Sequence, residues 1–189
     1  MCLCSLKELI MLTIEDSLLF IIDAQGRLAR VVAESETAIE CICILVKGAK
    51  LLGVPTLLTA QAPEKIGHTI PEIASLLPEQ ADLPRMSFSI WRDQAVRQAV
   101  QTLSRKQMLL CGFEAHICLY QSAMDLLAQG FDVYLVTDAV SSRQLSDKNT
   151  ALAELLACGV HLTTVEMALF TLMRDAQHPA FKPVSALIK

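Results

Sequence analysis

The sequence predicts an α/β fold of three layers, a doubly wound parallel sheet with helices on both faces. Short apolar runs alternate at least five times with longer stretches whose apolar residues recur at helical spacing. That alternation is the signature of β-α units joined by right-handed crossovers. Hydrophobic residues make up 53% of the chain and aromatics only 5%. The apolar content is therefore aliphatic, as strands buried on both faces require. A length of 189 residues suits one domain with a substantial core. That domain is expected over 12–189, with 1–11 as a tail and Met11 as an alternative start.

Each element follows from local pattern. The run SLLFIID, 17–23, ends an apolar strand on an acid. A helix is expected over 35–53, with Ser35 as its cap, Gly53 as its stop and Ile39, Ile42, Cys43, Val46 and Ala49 on one face. VPTLLTA, 54–60, reads as the second strand, and a polar stretch with four prolines, 62–84, as an excursion over one face. An amphipathic helix over 92–104, the strand QMLLCGF at 107–113 and a helix over 117–129 follow. The pattern then predicts a strand over 131–139, a helix over 147–158, a strand over 160–166 and a helix over 168–176. The last residues, HPAFKPVSALIK, either pack or fray.

Composition excludes several function classes. A net charge of −4, with no cluster of Lys or Arg, gives no surface for nucleic acid. No apolar run reaches the roughly 18 residues that span a bilayer, and the first residues lack a signal-peptide pattern. Seven cysteines among apolar neighbours fit reduced, buried thiols in the cytoplasm. The pairs Cys2/Cys4 and Cys41/Cys43 lack further ligands at short spacing, so no metal and no cofactor is expected. DAQGRLAR carries a single Gly, which disfavours a dinucleotide site, and no phosphate-cradling loop is present.

In doubly wound sheets the ligand lies beyond the carboxyl ends of the strands, near the point where strand order reverses. Asp23 ends the first strand, either as a solvated turn acid or as a carboxylate at that ligand edge. Cys118 falls in the first turn of the helix after the third strand, where free N–H groups and the helix dipole stabilise a thiolate or an oxyanion. The ordinary fate of a cysteine is burial as a small apolar residue, and Cys111 inside the strand fits that description. Arg85, among Leu, Pro, Met and Phe, is either a surface charge or a head group turned into a pocket. Apolar residues near Trp91 and in the last helix (Leu169, Phe170, Leu172) either complete the core or form a face shared between copies.

These positions lie in ordered motifs that resemble the isochorismatase-like hydrolase superfamily from Leu12 onward. Asp23-Ala24-Gln25 matches its D-x-Q motif, and Gly112 to Cys118 matches G-x-x-[TA]-x-x-C. LLTAQAPEKIGHTIPEI, LCGFEAHICLYQSAMDLL, VTDAVSSR and DAQHPAFK are similar to the subgroup called isochorismatase domain-containing proteins. The resemblance implies a small-molecule hydrolase, cleaving an amide, another C–N bond or a vinyl ether, that assembles as a homo-oligomer. It implies Cys118 as nucleophile, Asp23 as general base and Gln25 in support. It also implies a cis Phe113–Glu114 peptide and an oxyanion hole from the N–H groups of Glu114 and Cys118. The Asp-x-His pattern of the metal-dependent nicotinamidases is missing after Asp23. Arg85 stands where the family has Lys as third catalytic member: it can pair with Asp23 and hold a thiolate by charge, but Arg cannot shuttle protons. That departure favours an alternative, a catalytically lapsed member that binds a metabolite or a protein.

Overall fold

A computed structural model describes residues 11–189. The expected tail, with Cys2 and Cys4, therefore lies outside the described residues apart from Met11. The strands are β1 (Ser17–Ile22), β2 (Thr56–Gln61), β3 (Leu83–Arg85), β4 (Gln107–Phe113), β5 (Asp132–Ser141) and β6 (His161–Thr163). They form one parallel sheet in the order β3-β2-β1-β4-β5-β6. Strand order reverses between β1 and β4, which places the switch point at the ends of those two strands.

The helices are α1 (Leu28–Val31), α2 (Ser35–Leu52), α3 (Pro63–Ile66), α4 (Pro71–Ala74), α5 (Gln94–Leu103), α6 (Tyr120–Ala128), α7 (Leu145–Ala157), α8 (Val165–Met173) and α9 (Phe181–Ile188). Strand alternation divides the core into two layers. Leu19 and Ile21 of β1 and Leu109 and Cys111 of β4 face Ile42 and Val46 of α2 and Leu169 of α8. Leu18, Phe20 and Ile22, with Met108 and Leu110, face Val96 of α5, Leu126 of α6 and Leu155 of α7. All six residues of β1 and all seven of β4 are buried, which is why both read as continuous apolar runs.

The structure departs from the expected elements at identifiable points. The excursion over 62–84 holds α3 and α4 and leads into β3, an edge strand of three residues in which Pro84 hid the pattern. Ser35 does not cap α2: Glu34 takes the cap position with φ 52°, and Ser35 Oγ turns back to donate to Ala29 O at 2.9 Å. The last strand stops at Thr163 because Thr164 caps α8, accepting from Met167 N at 3.2 Å. The C-terminal residues pack as α9, with Val184 buried. Leu169 and Leu172 belong to the core, while Met167 and Phe170 of the same helix are exposed.

Candidate active site

Four strand ends meet at the carboxyl edge of the sheet. Asp23 follows β1, Gln61 ends β2, Arg85 ends β3, and the turn after β4 carries Cys118. Two glycines let the backbones approach so closely. Gly112, with φ 113°, lies against β1, and a Cβ there would stand 2.0 Å from Ile22 O. Gly26, with φ 44°, is pressed as tightly on Ile66 O. Side chains fit neither place.

The structure brings Asp23, Arg85 and Cys118 together. Arg85 Nη2 donates to Asp23 Oδ2 at 2.5 Å, with both side chains at most 1% exposed. Arg85 Nη1 donates to the Ser87 carbonyl. Among the described residues no hydrogen bond reaches Asp23 Oδ1. Cys118 is 4% exposed. Its thiol donates to Gln61 Oε1 at 3.9 Å, and the sulfur lies near enough to Asp23 to feel its charge.

The titration of these groups corrects one expectation. A helix start predicts a lowered thiol, yet burial pushes the Cys118 thiol up to about 12, and the Asp23 charge adds to it. The Arg85 charge pulls the other way and does not win. Burial also raises the Asp23 carboxyl against the pull of Arg85. The resting site therefore holds a thiol, with a carboxylate beside it whose proton affinity is increased. The helix reaches back further than its apolar pattern suggests, as a π-type turn over Ala115–Leu119 that runs into α6.

The supporting residues fall into place around this group. Gln25 clamps the end of β2: its Nε2 donates to Gln61 O at 2.9 Å and Gly67 O at 2.7 Å, and its Oε1 accepts from Gln61 N at 2.7 Å. The Phe113–Glu114 peptide is cis. The Glu114 carboxylate accepts from Arg143 N at 3.1 Å and Arg143 Nε at 2.9 Å, tying the turn that carries Cys118 to the loop after β5. Sequence reasoning missed Gln61. Its only signal was its place at a strand's carboxyl end, one position past the expected strand.

A cavity of about 450 Å³ opens beside Arg85, between Ala62, Pro84, Met86 and Arg92. One of about 440 Å³ lies at the other edge of the sheet, near Gly53 and Leu77, and brings no buried charge with it. Among the described residues no group of three His, Cys, Asp or Glu side chains could hold a metal. No helix there is long and apolar enough to cross a membrane.

Comparison with known proteins finds relatives over most of the chain. Residues 17–167 match the isochorismatase domain. The secreted isochorismatase effector Isc1 of Phytophthora sojae is 37% identical over 187 residues, 97% of this chain and 89% of that one. Isochorismatase domain-containing protein 2A of Mus musculus is 36% identical over 177 residues, 93% of this chain and 84% of that one. The MAR1 ribonuclease of Caenorhabditis elegans superposes with a TM-score of 0.89 at 31% identity, covering 95% of this chain and 92% of that one. The YcaC gene product of Escherichia coli, described as an octameric hydrolase of unknown specificity, shares the fold. Its TM-score is 0.89 at 24% identity, over 95% of this chain and 89% of that one.

Proposed function

The chain belongs to the isochorismatase family, and from that premise we propose that it is a cysteine hydrolase acting on a small amide or related C–N substrate. One observation carries the reading. Arg85 occupies Asp23 Oδ2 and leaves Oδ1 without a partner among the described residues, in a carboxyl group that interacts with the buried Cys118 thiol. A buried acceptor with no partner is costly unless the reaction supplies one.

The chemistry follows from that arrangement. As Cys118 Sγ attacks the carbonyl carbon, the thiol proton passes to Asp23 and the C=O electron pair moves onto oxygen. The N–H groups of Glu114 and Cys118 receive that oxyanion. The carbonyl re-forms, the C–N bond breaks, and Asp23 hands its proton to the departing nitrogen. Water then gives a proton to Asp23 and attacks the thioester. The acid leaves, and the proton returns to sulfur. Asp23 does all the proton transfer. Arg85 stays charged and contributes fixed positive potential.

The substrate reading stays with small molecules although the Caenorhabditis relative is named a ribonuclease. A net charge of −4 offers little to a phosphate backbone. Free thiols at Cys41, Cys43, Cys111, Cys118 and Cys158 fit a reducing, cytoplasmic setting. Exposed Met167 and Phe170 support assembly of copies through α8, and a light-scattering mass near the 20.7 kDa of one chain would reject it.

Steady-state turnover over a panel of primary amides and isochorismate tests the function. Turnover by the wild type, lost in both Asp23→Asn and Cys118→Ala, is the expected result. An inactive wild type that gains turnover as Arg85→Lys would make this a binding protein descended from an enzyme.

A further inference from the structure

We propose that Gln61 sets the substrate class: its amide oxygen receives an N–H of the substrate, so the site selects amides bearing an N–H over tertiary amides and esters. The inference rests on the nucleophile reading above and deepens it.

Two contacts hold the Gln61 side chain. Its Nε2 donates to Met86 O at 3.3 Å, and a carbonyl accepts only from a donor, so the amide orientation is fixed with Oε1 toward Cys118. Its backbone N–H and carbonyl are both taken by the Gln25 side chain. The strand end is thereby locked, and the side chain cannot swing away freely. Among the described residues the one donor to Oε1 is the Cys118 thiol, at 3.9 Å.

Catalysis removes that donor. Once the proton has left sulfur and the S–C bond has formed, the sulfur donates nothing, and Oε1 on the half-buried Gln61 side chain loses that partner. An unpaired acceptor there costs more than the hydrogen bond was worth. Asp23 and Cys118 are buried, and both Nη groups of Arg85 are taken by Asp23 and the Ser87 carbonyl, which leaves only its Nε without a partner among the described residues. A substrate covering the site displaces water from Oε1, and its own N–H is the donor that arrives with the reacting carbon. A group bonded to the attacked carbon lies next to the sulfur and hence next to Oε1. The nitrogen of a primary or secondary amide carries the required N–H, whereas an ester oxygen or a dialkylated nitrogen does not. A site built to accept a hydrogen bond discriminates against analogues that cannot give one.

Paired alkylating reagents test this without a known substrate. Wild-type protein is treated with iodoacetamide or N,N-dimethyliodoacetamide, and the rate at Cys118 is divided by that at exposed Cys158 in the same sample, by peptide mass spectrometry. Iodide leaves as the S–C bond forms, and the reagents differ in their N–H groups. The ratio between reagents is expected to drop by about fivefold in Gln61→Met, which lacks the acceptor, and to persist in Gln61→Glu, which keeps one. Comparing variants cancels the bulk of the methyl groups. A preference unchanged in Gln61→Met, or lost in a folded Gln61→Glu, overturns the proposal. Cys118 inert to both reagents in the wild type overturns the nucleophile reading beneath it.

Discussion

Cys111 and Cys118 sit on the same strand-to-helix unit, and their surroundings differ in one respect that matters. Both are buried, and burial raises both thiols. Cys111 lies within β4 and donates to Phe20 O at 3.4 Å, among aliphatic side chains of the sheet. Cys118 lies past the strand end, where Asp23, Arg85 and Gln61 converge on it. Burial therefore does not separate a structural thiol from a reactive one. On the proposed mechanism, the presence of a carboxylate with an unused oxygen does.

Replacing each cysteine should break the pair apart most sharply. Cys118→Ala is expected to lower kcat by about a thousandfold or more, as removal of a nucleophile does, with the melting temperature little changed. Cys111→Ala should leave kcat intact and cost about 1–2 kcal/mol of stability from a small cavity in the core. Denaturant titration beside steady-state kinetics separates the two effects. Equal activity loss in both variants would erase the distinction.

Arg85 comes next in size. Arg85→Met removes the charge facing the developing anion and leaves Asp23 buried without its cation, so a loss of about a hundredfold or more is expected. Arg85→Lys keeps the charge on a group that titrates. It should retain turnover but add an alkaline limb below the ordinary lysine value of about 10.4. No alkaline limb in Arg85→Lys, with full activity, would show that the charge at this position is dispensable.

The pH profile of the wild type is a finer test. Asp23 must be ionised to accept the thiol proton, and its proton affinity is raised by burial. Activity should therefore climb about tenfold per pH unit at the acid side and level off at a midpoint above the ordinary aspartate value of 3.8. Burial pushes the Cys118 thiol up to about 12, so the profile should remain flat through the mildly alkaline range. A midpoint below 3.8 would contradict a carboxyl whose burial outweighs its cation.

The same contrast explains what the sequence could disclose. β1 and β4 were legible because strands buried on both faces leave unbroken apolar runs, and Asp23 and Cys118 followed from their place at the switch point. The resemblance of ordered motifs sharpened that placement. β3 was hidden because three residues with a proline at a sheet edge carry no periodicity. Gln61 was hidden because its contact with Cys118 joins residues distant in sequence, whereas the pairing of Arg85 with Asp23 was reachable only through the family position that Arg85 occupies. The thiol was expected low because a helix start is a local feature, whereas the burial that raises it is a property of the whole fold.

The central claim is that Asp23 is a base for Cys118, and one rate tests it most directly: alkylation of Cys118 by iodoacetamide at neutral pH in wild type and in Asp23→Asn, with exposed Cys158 as internal reference. If Asp23 takes the proton, Asp23→Asn should slow labelling of Cys118 by about tenfold or more, with Cys158 unchanged. If Asp23 only raises the thiol through its negative charge, its removal would lower that barrier and Cys118 would react faster in the variant. Faster labelling in Asp23→Asn would contradict the account.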